Sequence, residues 1–430
     1  MALKYYLNGN FILVQKPDLV LIRMKPYGIY PINEAGVKIL QSVHHTADLE
    51  GICRECNANT EIKINKLSAF LDLCTTNQIL TNDAAKGGKL SVKSPGTTPY
   101  LERLFFEITD RCNLNCNHCY MSASYRSVNT TDVPLENIKD VIAQADKLGV
   151  YRTDFTGGEI FSRDDIDSVL KISADHFMIT NIFTNGTLIN ESMVNLLADL
   201  GNIRTVFVSL DDIVEKEHDI FRGMRGAFSS TIQALHLMKE KNIKAVANVT
   251  LSKRNINRIQ EIIDYCRNEL QIECRTAPIL YVGRGKCFEH MDLSLDEISE
   301  AMKISLKNRV RFTSGYCEDE TPDGTIVPGC GVGHKMLYVR SNGEICLCPT
   351  LSSREADMFN LGNIYKDYLK EVWEESHGII AFRESACKNR DCKNIGGCLG
   401  GCRSRAYLMN QDLCDVDPIL CNFFKEEVVV

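Results

Sequence analysis

The run LFFEITDRCNLNCNHCY, residues 104–120, decides the fold. It opens on an apolar, β-rich segment and then sets Cys112, Cys116 and Cys119 on one short loop. Spacings of four and three can gather three thiolates around one point. Iron–sulfur clusters are held by cysteine thiolates, ordinarily four of them, so three leave one iron for another ligand. A zinc loop is the rival reading, but zinc knuckles favour CxxC pairs and want a fourth ligand nearby. His118, inside the loop, reads as a stacking or hydrogen-bonding residue.

Outward from this loop, β-rich runs recur: YRTDFTG (151–157), MITNIFTNG (178–186), IRTVFVSLD (203–211), KAVANVTL (244–251) and IECRTAPILYV (272–282). Helical runs such as ENIKDVIAQADKLG (136–149) and STIQALHLMKEKN (230–242) lie between them. Six such βα units predict a parallel α/β architecture over residues 100–310, either a doubly wound sheet or a partial barrel. The second run ends in Gly157-Gly158-Glu159. Two glycines let a strand edge come close to a ligand, and a carboxylate beside them can hold an ammonium group.

The flanks differ from this core. Residues 1–82 read as short strands, with turns at Lys16-Pro17-Asp18 and Pro26-Tyr27-Gly28, followed by helices. Ala35, Val37, Ile39, Leu40 and Val43 are helically spaced, and a further helix has Asn59 or Thr60 as N-cap and Ile62, Ile64, Leu67, Phe70 and Leu71 as apolar positions. This order predicts a winged-helix-like domain. Residues 83–99, rich in Gly, Ser, Thr, Lys and Pro, read as a linker. Residues 311–430 hold ten of the 19 cysteines, with poor periodicity, and read as a domain folded around metal.

Composition narrows the class. The 430 residues carry 49 Lys and Arg against 56 Asp and Glu, a net charge of −7, so no basic surface for nucleic acid is expected. No apolar run reaches the ~18–20 residues of a membrane span, and the N-terminus does not read as a secretory signal. So many cysteines in a long chain point to a reducing compartment, hence the cytoplasm, and to metal-bound thiolates. Cys53 and Cys56 form an isolated CxxC and read as incidental thiols. Cys74, Cys266, Cys274 and Cys287 read as small buried apolar residues.

The loop, the glycine pair and their order resemble the radical S-adenosylmethionine (radical SAM) superfamily over residues 102–285. The resemblance implies a partial (β/α)6 TIM-type barrel, a 4Fe-4S cluster on Cys112, Cys116 and Cys119, and SAM on the fourth iron. Reductive cleavage then yields a 5′-deoxyadenosyl radical. It also implies site roles. Gly157, Gly158 and Glu159 would bind the cofactor, with Glu159 holding the SAM amino group. Thr184, Asn185, Asn248 and Thr250 would lie at strand ends. Ser209 and Asp211 would face the ribose, Tyr120 the adenine, and Arg222 of HDIFRGMRGAF the SAM carboxylate.

The C-terminal cysteines are similar to the SPASM domain. Cys330, Gly343 and Cys348 match C-x(9–15)-G-x4-C, and CKNRDCKNIGGCLGGC holds Cys387, Cys392, Cys398 and Cys402, with Cys421 beyond. That resemblance implies two auxiliary iron–sulfur clusters of the 4Fe-4S type. The first would sit on Cys330, Cys348 and Cys402, with Cys317 as candidate fourth ligand. The second would sit on Cys387, Cys392, Cys398 and Cys421. The usual first gap of two is four here, which weakens Cys387; Cys346 and Cys414 are rivals. A pair of zinc sites is the alternative.

The layout as a whole resembles sactipeptide-type peptide maturases, in which an N-terminal element takes the leader of a ribosomally made precursor peptide as an added strand. The run Leu19–Met24 or its neighbour is the expected receiving edge. The resemblance implies sulfur-to-carbon thioether formation, a reductant such as flavodoxin or ferredoxin, and work under low oxygen. Rival chemistries on the same core are carbon–carbon or carbon–oxygen crosslinking, formylglycine formation (Pro349 stands beside Cys348 where a carboxylate base is expected) and epimerisation, with Cys274 or Cys287 as hydrogen donor. An iron–sulfur electron carrier or peptide-binding scaffold is the non-enzymatic alternative.

Overall fold

The computed structural model describes residues 3–15, 19–24, 28–94, 96–97, 99–125, 132–280, 282–287, 292–313, 331–352, 356–398 and 400–426. The turns read at 16–18 and 26–27, and the candidate ligands Cys317 and Cys330, lie outside these residues, as does the side chain of Cys287. The chain divides into two compact units, Met1–Gly96 and Thr97–Val430.

The first unit contains strands β1 (Tyr6–Leu7), β2 (Phe11–Val14), β3 (Val20–Arg23), β4 (Gly28–Pro31), β5 (Leu80–Thr81) and β6 (Leu90–Lys93) and helices α1 (Glu34–Thr46), α2 (Leu49–Glu55) and α3 (Glu61–Thr76). Asn33, Asp48 and Thr60 cap the three helices by accepting backbone N–H groups of Gly36, Gly51 and Lys63. A four-stranded sheet runs β4-β3-β2-β6, and β1 pairs with β5. Phe11, Leu13 and Leu21 pack against Leu40, Leu67 and Leu71.

Two expectations change here and a third is narrowed. Residues 83–99 are not a plain linker: β6 pairs in parallel with β2, Phe11 opposite Leu90, and the unit closes only at Gly96. The run Leu19–Met24 is interior to the sheet, which leaves its neighbour β4 as the expected receiving edge; among the described residues β6 is the other edge. Ile62 and Ile64 do not join the core; they are exposed, and Leu67, Leu71 and Cys74 form the buried stripe of α3.

In the second unit, six parallel strands follow in order: β7 (Arg103–Thr109), β8 (Arg152–Gly157), β9 (Ile179–Thr184), β10 (Ile203–Ser209), β11 (Ala245–Leu251) and β12 (Glu273–Pro278). Every residue of β7 is buried, as a strand covered on both faces requires. Crossover helices α4 (Leu135–Lys147), α5 (Ile166–Asp175), α6 (Glu191–Leu200), α7 (Glu215–Arg222), α8 (Ala227–Glu240) and α9 (Ile259–Asp264) lie between them. On α4 the buried positions are Ile138, Val141, Ile142 and Ala145, one helical stripe. This is the expected barrel-type order rather than a doubly wound one, whose strand order would reverse at a switch point.

The lower part of the barrel is closed by polar and aromatic layers. Arg103 pairs with buried Asp154, which also accepts from Asn181 Nδ2 at 2.7 Å. Burial alone would raise the Asp154 pKa, but Arg103 and Arg152 hold it below the usual carboxylate range. Phe105 meets Phe183 at 5.2 Å, and Phe183 stacks on Phe207 at 4.8 Å. The strand C-terminal ends are thereby left as the open end.

The sheet then continues past the barrel. Strand β13 (Arg311–Phe312) pairs with β12, and β14 (Met336–Val339), β15 (Glu344–Cys346) and β16 (Asn360–Asn363) extend it beyond β7. The C-terminal region is therefore not held by metal alone. Trp373 and Phe359 are fully buried in a core continuous with the barrel, and Trp373 Nε1 donates to the Pro99 carbonyl at 2.7 Å.

Candidate active site

The bulge between Glu107 and Thr109 ends β7 and sends the chain into the cysteine loop. The glycine pair holds this loop. A Cβ on Gly158 would lie 2.2 Å from the Arg111 carbonyl oxygen, and one on Gly157 would lie 2.3 Å from that of Thr109. Gly158 N–H donates to Thr109 O at 3.0 Å and Glu159 N–H to Arg111 O at 2.7 Å. The glycines thus admit the backbone of the loop itself.

Above the aromatic layer opens a cavity of about 1040 Å³, counting its solvent-open mouth. Cys112, Cys116, Cys119, Tyr120, Gly157, Gly158, Thr184, Asn185, Ser209, Arg222, Asn248 and Thr250, twelve expected site residues, line it. Burial pushes the Cys112 thiol pKa far up, and that of Cys116 to about 11 in spite of Arg222. Without a cation these groups stay protonated; a bound metal deprotonates a coordinating thiol outright. His118 stacks on Phe221 at 4.0 Å, and its Nδ1 is buried with no hydrogen-bond partner among the described residues. Three thiols, Cys116 buried and Cys112 and Cys119 half-buried, and an orphaned ring nitrogen around this cavity fit a cluster with a bound organic ligand.

Two expected contact residues stand behind the cavity wall instead. Glu159 is fully buried and accepts from Thr184 Oγ1 (2.7 Å), Asn185 N–H (2.7 Å) and Phe161 N–H (3.1 Å). It braces the end of β9 rather than lining the cavity. Asp211 accepts from Arg222 Nε at 2.6 Å and from Thr250 N–H at 2.9 Å. Burial would raise its pKa, but Arg222 holds it low. Both corrections share a cause: a buried carboxylate is stable only where neighbours satisfy it. Arg222, so aimed, brings Nη1 to 3.9 Å from Cys116 Sγ.

Three residues were not foreseen. Arg284 donates to the carbonyls of Cys116 (2.8 Å) and Ala123 (2.6 Å), clamping the cysteine loop. His218 Nδ1 accepts the Asp211 N–H at 3.2 Å. Arg275 lines the cavity and donates to Asn248 Oδ1 at 2.9 Å. A GRG tripeptide after the last β run and a lone Arg in a strand were the available signals.

In the C-terminal region the Cys421 thiol pKa is raised by burial and then by the nearby Cys387, Cys398 and Cys392. These four gather in one place, Cys387 included. A Cβ on Gly401, at φ +75°, would lie 2.5 Å from Asp417 Cβ, so only glycine lets this turn close. Cys348 Sγ lies 3.2 Å from Ser404 Oγ, two residues from Cys402. Cys346 is fully buried on β15 and Cys414 is exposed. Cys53 and Cys56 pack against the core of the first unit. Cys274 does not line the cavity; its thiol hydrogen-bonds Cys266.

An α/β barrel with a three-cysteine loop at its open end, and a further cysteine-rich region beyond it, defines an iron–sulfur enzyme class. Comparison makes the class specific: residues 106–266 match the radical SAM superfamily and residues 330–402 the iron–sulfur cluster-binding SPASM domain. Fe-coproporphyrin III synthase of Methanosarcina barkeri is 32% identical, over 81% of this chain and 95% of its own length. The antilisterial bacteriocin subtilosin biosynthesis protein AlbA of Bacillus subtilis is 27% identical, over 71% of this chain and 68% of its own. The fold matches that of Streptococcus suis SuiB bound to precursor peptide SuiA, with TM-score 0.63 and 18% identity, over 97% of this chain and 98% of that one. The chain belongs to the radical SAM superfamily and carries a SPASM domain. Its cofactors are accordingly SAM, a 4Fe-4S cluster and auxiliary iron–sulfur clusters. No helix among the described residues is long and apolar enough to cross a membrane.

Proposed function

We propose that the protein forms sulfur-to-carbon thioether links in a ribosomally made precursor peptide. The observation that carries this reading is the first unit, a small sheet whose edge strand β4 is half-buried at Gly28, Ile29 and Tyr30. An edge offering main-chain donors and acceptors suits strand addition by a leader peptide. The likeness to SuiB and AlbA supports a peptide substrate.

In this reading Cys112, Cys116 and Cys119 hold the cluster, and Arg222, aimed by Asp211, takes the SAM carboxylate. Gly157, Gly158 and Asn185 offer main-chain groups to the amino end, Ser209 faces the ribose and Tyr120 the adenine. Glu159 and Arg284 are positioning residues. Cys348 and Cys402, with Cys317 and Cys330, hold one auxiliary cluster; Cys387, Cys392, Cys398 and Cys421 hold the other. When bound and reduced, the cluster and SAM supply a 5′-deoxyadenosyl radical that abstracts hydrogen. The aromatic layer and buried strands keep water from below the reacting atoms. The partners are the precursor peptide and a flavodoxin- or ferredoxin-type reductant, in the cytoplasm under low oxygen.

Mass spectrometry tests it. A small cysteine-containing peptide encoded beside the gene is incubated anaerobically with reconstituted protein, SAM and reductant. Loss of two hydrogens per bridge, with cysteines no longer alkylated, is expected. Unchanged peptide alongside 5′-deoxyadenosine would overturn it. A second reading, a tetrapyrrole substrate, is favoured by the 32% identity to Fe-coproporphyrin III synthase; modification of Fe-coproporphyrin III or a precursor tetrapyrrole under the same conditions would establish it.

A further inference from the structure

Two thiols of the barrel have no part in the site above, and they touch each other. Cys266 lies on a single π-helical turn, Tyr265–Leu270, that follows α9, and Cys274 is the second residue of β12. Turns of this kind are rare and recur at functional sites. The chain between the two cysteines reverses through Gln271, at φ +54°. Ile272 N–H donates to the Cys266 carbonyl at 2.9 Å, which holds the π turn against the start of the strand. Both thiols are free, and they are hydrogen-bonded to each other.

The pair stands behind the cavity wall. Side chains alternate along a strand, and Arg275 and Ala277 line the cavity, so Cys274 faces the other way, toward the π turn. Cys266 is 0% exposed and Cys274 9%, so Cys274 is the more accessible of the two. The hydrogen bond from Cys266 lowers the Cys274 thiol pKa, against burial and with help from Arg267; the Cys266 thiol moves up. A sulfur with thiolate character beside a second thiol is the arrangement in which the first attacks an oxidant and the second resolves the product. In a reducing compartment, disulfides that do form are mostly transient redox centres.

We infer that Cys266 and Cys274 form a redox-active dithiol, a modification site that hydrogen peroxide converts to a disulfide. The Cys274 sulfur attacks a peroxide oxygen and the O–O bond breaks. This leaves a sulfenic acid on Cys274 and, once the thiol proton is transferred, one water. The Cys266 sulfur then attacks that of Cys274 and the S–O bond breaks. A second water leaves with the Cys266 proton. The two thiols together lose two electrons and two protons, and the peroxide gains both. An added dithiol reverses the change by exchange. The new bond staples the π turn to β12 and closes residues 267–273 into a loop. The inference is independent of which substrate the cavity takes.

The test titrates the folded, cluster-loaded protein with hydrogen peroxide, quenches it in acid and alkylates the remaining thiols. Iron content is followed in the same samples. Trypsin cuts after Arg258, Arg267 and Arg275, so the two cysteines fall on separate peptides, Ile259–Arg267 and Asn268–Arg275. The expected product is these two joined, at the sum of their masses less two hydrogens, and parted again by a dithiol. It should account for most of the loss of the two alkylated peptides. Amide exchange across 267–273 should slow in the oxidised wild type. In Cys266→Ser, Cys274 should accumulate as a sulfenic acid trapped by dimedone; in Cys274→Ser, Cys266 should stay fully alkylated. The wild-type mass alone decides if a variant fails to fold. Separate, fully alkylated peptides at doses that already oxidise the exposed Cys414 would overturn the inference and leave the pair as core packing. A joined pair seen only after iron is lost, or oxidation of Cys266 undiminished in Cys274→Ser, would overturn it as well.

Discussion

The two cysteine-rich regions of the second unit are organised by different means. The Cys112–Cys119 loop is tied to three other parts of the barrel. Gly158 and Glu159 bind its approach, Arg284 binds two of its carbonyls, Phe221 O accepts the Asn117 N–H at 3.2 Å, and Arg222 reaches Cys116. Around Cys387–Cys421, by contrast, most backbone bonds are local, as in Ile395 N–H to Cys392 O and Gly401 N–H to Cys398 O. The main long-range tie there is buried Asp417, which accepts from Cys402 N–H at 2.8 Å and from Arg405 at 2.5 Å. The barrel thus positions its thiols through protein contacts, whereas the second group would draw more of its cohesion from a bound cluster.

That contrast can be broken. Cys116→Ala should reduce SAM cleavage to background and leave thermal melting nearly unchanged, whereas Cys421→Ala should lower the melting temperature read by the single tryptophan, Trp373. A larger melting loss for Cys116→Ala would contradict the assigned difference. Iron removal by a chelator should raise amide exchange strongly across residues 387–421 and little in β7 and β8; uniform exchange would make both sites equally metal-dependent. Asp417→Asn strips the buried Arg405 of its charge partner and should cost about 3–5 kcal/mol in chemical denaturation.

The comparison also explains what could be read from the sequence. Cys112, Cys116, Cys119 and the Gly157-Gly158 pair were legible because ligand sets and close backbone contacts impose short fixed spacings. The barrel strands were legible as apolar β runs with helices between. Arg275, His218 and Arg284 were not, because a lone polar residue has no spacing that signals its target. Glu159 and Asp211 were found but placed one layer too close to the ligand, since position along a strand end does not reveal which neighbours satisfy a carboxylate. Strand β6 passed for a linker because an edge strand carries the Ser and Lys that also mark loops.

Two smaller effects sharpen the picture on the barrel side. Asp211→Asn keeps the shape but removes the charge that aims Arg222. SAM affinity should fall about tenfold, the scale of one charge-assisted hydrogen bond, and the Cys116 variant's stability is the reference for an intact fold. An unchanged affinity would mean that Arg222 needs no orientation from Asp211.

The last effect is proton-linked. His218 is 1% exposed and meets Phe228 edge-on at 5.8 Å. Burial lowers its pKa to about 4, although Asp211 pulls the other way, against ~6.5 in an unfolded chain. Below ~6.5 the unfolded state therefore binds a proton that the folded state refuses until about pH 4. Its contribution to stability is complete above ~6.5 and is lost as pH falls toward the folded value, by about 1.4 kcal/mol at pH 5.5. Protonation would also turn Nδ1 from acceptor of the Asp211 N–H into a donor and disturb the support of Arg222. Denaturation followed by Trp373 fluorescence at pH 7.5 and 5.5 should show that loss in the wild type, and a slope flatter by the same amount in His218→Gln. Parallel slopes would mean that His218 titrates as in water, and that this wall of the barrel is not closed.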